Sequence, residues 1–228
     1  MDNLSLAALD SGKLTVSVQE IGEFRERLHG KLIGASDSSY DEARKIWNSM
    51  IDRKPGLIVR CAGADDAVAA VRFARDHGLL VSVRGGGHNI AGNALCDGGL
   101  VIDFSHMKAV RVDEAAQSAR VEPGATLADV DRETQAYGLA VPTGINATTG
   151  IAGLTLGGGF GWITRVVWRR RRRRFRGLGQ LESPSSMWSL PMPLLTGSRH
   201  STHCWLQELE IIGRPTILPR CPIPQSKF

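Results

Sequence analysis

An α+β fold in two parts follows from three features of the 228-residue sequence. A β-rich run, a helical segment and a second β-rich run succeed one another between Leu57 and Val83. From Gly99 to Gly124 short β-rich runs alternate with turn-length gaps. A glycine cluster follows each part, Gly85–Gly87 and Gly157–Gly159. Strand, helix and strand at such spacing predict a βαβ unit with parallel strands, and the texture change after it predicts a second, strand-rich part.

Taken in order, "YDEARKIWNSMIDRKPG" reads as an amphipathic helix that ends before Pro55, because proline disfavours helical backbone in the residue before it. "LIVRC", Leu57 to Cys61, is β-rich. "ADDAVAAVRFARDHG" carries Asp65 and Asp66 in its first turn, apolar Val68, Val71 and Ala74 at helical spacing, and Gly78 as its stop. "LLVSV", Leu79 to Val83, follows as a buried strand, so the first glycines stand at a strand's carboxyl end, where α/β sheets bind ligands. "GLVIDF", "AVRVD" and "SARVEPG" are three short strands. "TLADVDRETQAYG" is a helix capped by Thr126 and ended by Gly138.

Composition divides the chain near Arg165. Residues 166–228 hold 11 Lys+Arg against 3 Asp+Glu, net +8, which leaves 17 against 20, net −3, for residues 1–165. Seven of the ten prolines lie after Arg165, whereas 22 of the 26 glycines lie at or before it, so two kinds of sequence meet there. The tail, with six consecutive arginines from Arg169 to Arg174, keeps neither period for long. The four cysteines show no metal-ligand spacing and read as reduced thiols, Cys96 as a small buried apolar residue. No apolar run reaches 18 residues and the N-terminus lacks a secretory pattern, so a cytoplasmic protein without a membrane partner is expected.

Neither glycine cluster has the G-x-G-x-x-G or G-x-x-x-x-G-K-[ST] spacing. Consecutive glycine N–H groups make an anion-binding nest, and two such loops suit a pyrophosphate gripped from both sides. Plain turn formation explains glycines equally well. The clusters alone leave the two readings open.

The wider segments "RKPGLIVRCAGADDAVAAVRFARDHGLLVSVRGGGHNIAGN", "GLVIDFSHMKAVRVD" and "VEPGATLADVDRETQAYGLAVPTGINATTGIAGLTLGGGFGWITR" resemble the flavin-binding domain of the vanillyl-alcohol oxidase and berberine-bridge-enzyme superfamily, in order and spacing. The resemblance implies a truncated, two-part FAD-binding domain of the PCMH type: a small parallel βαβ subdomain plus a mixed or antiparallel one with helices. It spans residues 40–165, after an N-terminal extension, 1–39, and before a basic, Pro-rich tail, 166–228, read as disordered or aberrant. It implies that Arg84, Gly85, Gly86, Gly87, His88 and Asn89 form the pyrophosphate loop, and that Thr149, Gly150, Gly153, Gly158 and Gly159 line the flavin's other side.

In the family the histidine at position 88 is commonly joined to the 8α-methyl of FAD; some members hold FAD without that bond. A neutral imidazole offers the lone pair the bond requires. Asn146 falls where other members place a second anchoring cysteine, and an amide forms no thioether. The resemblance further implies hydride transfer from a small alcohol, sugar or related substrate to flavin N5, with dioxygen as frequent acceptor and a catalytic base in parts of the fold not recognisable here. A non-catalytic flavin-binding module, or nucleic-acid binding through the arginine run, are the alternatives.

After "GWITR" the family continues with further helices and strands, whereas this chain continues "VVWRRRRRRFRG". That change reads as translation in a shifted frame. One alternative frame downstream of the Arg165 codon is expected to encode family-like elements and a further glycine-rich segment. Translating the DNA in all frames checks this, and early stops in both others exclude the shift.

Overall fold

The structure, a computed structural model, describes residues 3–161 and 209–211. At its centre is a four-stranded sheet in the order β3 (Lys31–Gly34), β4 (Leu57–Arg60), β6 (Leu100–Asp103), β5 (Val81–Arg84). β3 pairs antiparallel with β4, while β4 and β5 both run parallel to β6. The βαβ unit predicted from Leu57 to Val83 is present, with helix α3 (Ala64–Asp76) as its crossover. Its two strands are separated by β6, the run "GLVIDF", which the sequence reading left with the later strands. That run is buried on both faces, as a central parallel strand must be.

Both faces of the sheet are packed. Leu57, Val59, Leu100 and Ile102 meet Ala67, Ala70 and Ala74 of α3 on one side. Ile58 and Val101 meet Ile33, Tyr40, Leu95 and Cys96 on the other. β5 is an edge strand, and here the expectation of a buried "LLVSV" is corrected: Val81 and Val83 are exposed and only Ser82 between them is buried.

Of residues 1–39, expected as an extension, residues 3–39 pack into this core. β1 (Leu4–Ala7) and β2 (Lys13–Val16) form an antiparallel hairpin, α1 (Val18–Glu26) follows, and β3 extends the sheet. Leu6, Val16, Phe24 and Leu32 are buried with the sheet and α3, and Phe24 stacks on Phe73 at 4.1 Å between ring centroids. Asp66, 1% exposed, fastens this segment by accepting N–H bonds from His29 (2.7 Å), Gly30 (2.9 Å) and Ala62 (2.7 Å).

The helix expected from Tyr40 to Pro55 is only one turn, α2 (Tyr40–Ala43). The Arg44 guanidinium bonds Asp41, Asp52 and the carbonyl of Arg53, which folds the chain back on itself. Asn48 Oδ1 accepts the Met50 N–H at 3.2 Å, a local alternative to the helical bond. The departure matters because it brings Trp47 over the first glycine loop.

The second part pairs β7 (Val110–Asp113) with β8 (Ser118–Val121) in an antiparallel hairpin, which α4 (Leu127–Gln135) covers through Leu127 and Val130. Thr126 caps α4 as predicted: its hydroxyl accepts the Asp129 N–H at 3.3 Å, and Asp129 reaches back to the Thr126 N–H at 2.9 Å. A short helix, α5 (Ile151–Gly157), buries Ile151 in the same cluster. Of the segment 166–228, residues Leu209–Ile211 form β9 on the free edge of β8, a strand where none was expected. The arginine run and the rest of the tail lie outside the described residues.

Candidate functional site

The two glycine clusters meet. Gly85–Gly87 leaves the carboxyl end of β5, and Gly150 opens α5 after the 146–149 turn. A Cβ on Gly86 would lie 2.5 Å from both the Cα and the N of Gly150, so the two backbones touch with no room for a side chain. On Gly85 it would lie 2.8 Å from the carbonyl oxygen of Pro123. Close approach of chain to chain therefore accounts for these glycines before any ligand does. Gly87 differs, with a left-handed φ of +69° that turns the loop so that its carbonyl accepts the Trp47 N–H at 3.2 Å.

That turn has an electrostatic consequence. Among the described residues the amide N–H groups of Gly86, Gly87, His88 and Asn89 donate to no acceptor of the protein. Four successive N–H groups with no protein acceptor leave this loop free to donate to a bound anion. Apolar side chains stand exposed on the adjoining segments: Trp47, Ile90, Ile145, Leu156 and Phe160. A ligand with an anionic middle and a flat apolar end fits this donor set.

His88 sits between the loops. Its ring stacks on Trp47, 5.0 Å between centroids, and its Nε2 is 3.0 Å from Thr148 Oγ1. Burial lowers its pKa, which favours the neutral imidazole at pH 7. Thr148 Oγ1 also bonds Asn146 Oδ1 at 3.0 Å, which places residue 146 one hydroxyl away from the histidine. Trp47 and Thr148 were missed in the sequence. Trp47 lies within the expected helix, and Thr148 directly precedes the second loop's expected contacts, which begin at Thr149.

The remaining predicted residues divide. The Arg84 side chain turns inward, donating to the carbonyl of Ala43 and pairing with Asp103 at 3.8 Å, and so anchors the strand end beneath the glycine loop. Asn89 Oδ1 accepts the Asn93 N–H at 2.9 Å and shapes its own loop. Thr149 uses its backbone to hold the loops, donating to the Asn146 carbonyl and accepting from Leu127. Gly158 ends α5 with φ +91° and Gly159 follows at +25°. A Cβ on Gly153 would meet nothing within 4 Å, so that helix face is open.

The two described cysteines, Cys61 and Cys96, are buried free thiols. Burial raises the Cys96 pKa and pushes Cys61 up to about 12, which leaves neither as a thiolate. A cavity of about 390 Å³ beside β5, lined by Arg53, Ser82, Cys96 and Asp97 among others, holds none of the predicted site residues.

A mixed sheet whose parallel strands end at one glycine loop, with a second glycine segment and a stacked histidine against it, has the build of a cofactor-binding domain, and the comparisons give its class. Residues 55–167 match the FAD binding domain family. (R)-6-hydroxynicotine oxidase of Paenarthrobacter nicotinovorans is 40% identical over 137 residues, 60% of this chain and 30% of that protein. An FAD-linked oxidoreductase of Dictyostelium discoideum is 37% identical over 160 residues, 70% of this chain and 35% of that one. Among solved structures, 6-hydroxy-D-nicotine oxidase from Arthrobacter nicotinovorans superimposes with TM-score 0.59 at 40% identity, over 60% of this chain and 30% of that one. The grass pollen allergen Phl p 4, with glucose dehydrogenase activity, does so with TM-score 0.60 at 29% identity, over 64% and 32%. The matched region carries the FAD binding domain found in FAD-linked oxidoreductases of the vanillyl-alcohol oxidase and berberine-bridge-enzyme type, and FAD is the cofactor of that domain. The chain spans about a third of the length of these relatives. No described helix is long and apolar enough to cross a membrane.

Proposed function

We propose that this chain is the FAD-binding portion of an oxidase in which a hydride leaves a C–H bond beside oxygen or nitrogen of a small alcohol, sugar or amine, and dioxygen is the final acceptor. FAD supplies the redox chemistry when bound; the protein's part is binding and orientation. The carrying observation is the row of four unsatisfied amides from Gly86 to Asn89 beside a neutral His88. In this reading the amides hold the pyrophosphate. Trp47 fixes the imidazole's plane, and His88 forms a covalent bond to the cofactor, Asn146 forming none. Relatives named as oxidases of 6-hydroxynicotine and aclacinomycin favour the substrate classes given. The buried free thiols suit the reducing cytoplasm.

The test is a denaturing gel of the full chain after incubation with FAD, viewed under ultraviolet light. A fluorescent protein band is expected for the wild type and none for His88→Ala, with the flavin recovered on a peptide containing residues 84–93. A flavin that washes away from the wild type removes the covalent bond from the proposal. A band that persists in His88→Ala moves the bond elsewhere.

A further inference from the structure

Thr148 has one hydroxyl proton and two polar neighbours, Asn146 Oδ1 and His88 Nε2, each at 3.0 Å. Asn146 Oδ1 also accepts the Thr148 N–H at 3.2 Å, which identifies that atom as the amide oxygen and not the nitrogen. An amide oxygen carries no hydrogen, so in the bond between Oδ1 and Oγ1 the threonine donates. Its only proton is then committed, and toward His88 the same oxygen can only accept. With the hydroxyl so placed, the hydrogen on that side comes from the imidazole.

We infer that Asn146 and Thr148 are positioning residues that fix His88 as its Nε2–H tautomer, leaving the lone pair on Nδ1 as the nucleophile toward the flavin. This rests on the covalent reading proposed above. The 5.0 Å stack on Trp47 restrains the ring from turning over and exchanging the two nitrogens. Bond formation at Nδ1 breaks one C–H bond of the 8α-methyl, and the proton from it and the Nε2 proton are released. The two electrons pass through the ring system to dioxygen, which with two protons becomes hydrogen peroxide. Once Nε2 has lost its hydrogen, the Thr148 hydroxyl turns to donate to it, while Asn146 keeps the Thr148 N–H.

The tautomer can be read without flavin. In the full chain labelled with 15N-histidine, long-range 1H–15N spectra at neutral pH distinguish a pyrrole-like from a pyridine-like ring nitrogen, and His88→Ala assigns the signals. Wild type is expected to show pyrrole-like Nε2 and pyridine-like Nδ1. Thr148→Val removes the acceptor at nearly constant shape and is expected to lower the ratio of Nε2–H to Nδ1–H about fivefold, the weight of one ordinary hydrogen bond of about 1 kcal/mol. Thr148→Ser should restore it. A dominant Nδ1–H form in the wild type, or an unchanged ratio in Thr148→Val, overturns the inference. The expected tautomer in a chain that takes up no covalent flavin would overturn the covalent reading and leave the assignment of Asn146 and Thr148 intact.

Discussion

Asp103→Ala is expected to lower the stability of the described fold by about 3 kcal/mol, the low end of what loss of one partner from a buried ion pair costs. Asp103 is fully buried at the carboxyl end of the central strand β6. Its carboxylate accepts from Arg60 Nε at 3.2 Å, Ser105 N–H at 3.0 Å and Ser105 Oγ at 3.0 Å, and pairs with Arg84 Nε at 3.8 Å. Arg60 ends β4 and Arg84 ends β5, so one carboxylate ties three parallel strands together below the nest. Its removal leaves two guanidinium groups facing each other across a hole. Their side chains are 20% and 17% exposed, and the water they recover keeps the cost at the low end.

Such a loss is a large share of the roughly 5–15 kcal/mol that holds a domain together. It should appear as a lower urea midpoint at unchanged slope. Asp103→Asn, which retains one acceptor and the shape, should lose less. The cofactor site should suffer too, because a Cβ at Gly87 would lie only 3.5 Å from Arg84 Nε: the arginine is the floor beneath the loop. An Asp103→Ala chain as stable as wild type would show that the two arginines do not depend on it.

The helix from Ala64 and the capped helix from Leu127 were legible because their signals are local. Acidic residues at the start and a terminal glycine in the left-handed region, Gly78 at +62° and Gly138 at +65°, lie within one segment, although the buried face of the first helix is Ala67, Ala70 and Ala74 and the expected Val71 is exposed. The same kind of signal stood unread at Ser17-Val-Gln-Glu20, a capping box that opens α1 inside the supposed extension. What resisted reading is set by distant partners. Nothing in "GLVIDF" says that it lies between two strands already passed, since register across a crossover is fixed by the sheet. Nor does "EARKIWNSM" announce that Arg44 prefers Asp52 and Asp41 to continued helix. At the candidate site, the glycine loops and His88 stood out because glycine and histidine are conspicuous in a pattern, and the structure brings them together. The side-chain partners of Arg84, Ala43 and Asp103, were not legible because they lie far off along the chain.

Gly86→Ala should separate the two glycine loops and with them the cofactor site. The added carbon would sit 2.5 Å from the Cα and N of Gly150, and neither is the end of a flexible side chain. One backbone has to retreat. The Gly150 side is held by Leu127 N–H to the Thr149 carbonyl at 2.9 Å and Ile151 N–H to the Ala125 carbonyl at 3.0 Å, so the retreat falls on the Gly85–Gly87 loop. Overpacking of this kind costs about 1–3 kcal/mol in stability. The larger effect is on FAD: misaiming two charge-assisted hydrogen bonds, about 1.5 kcal/mol each, weakens binding roughly 100-fold. Gly153→Ala supplies the contrast, because beyond its own helix backbone its Cβ meets nothing within 4 Å and alanine is the better helix former by about 1 kcal/mol. Its thermal midpoint should not fall, yet its FAD affinity should, if the open face at Gly153 is space kept for the flavin. Titrating FAD into both variants by flavin fluorescence, beside their melting curves, decides the matter. A Gly86→Ala chain with wild-type affinity would mean that the loops need not touch to bind, and a Gly153→Ala chain with wild-type affinity would remove that glycine from the site.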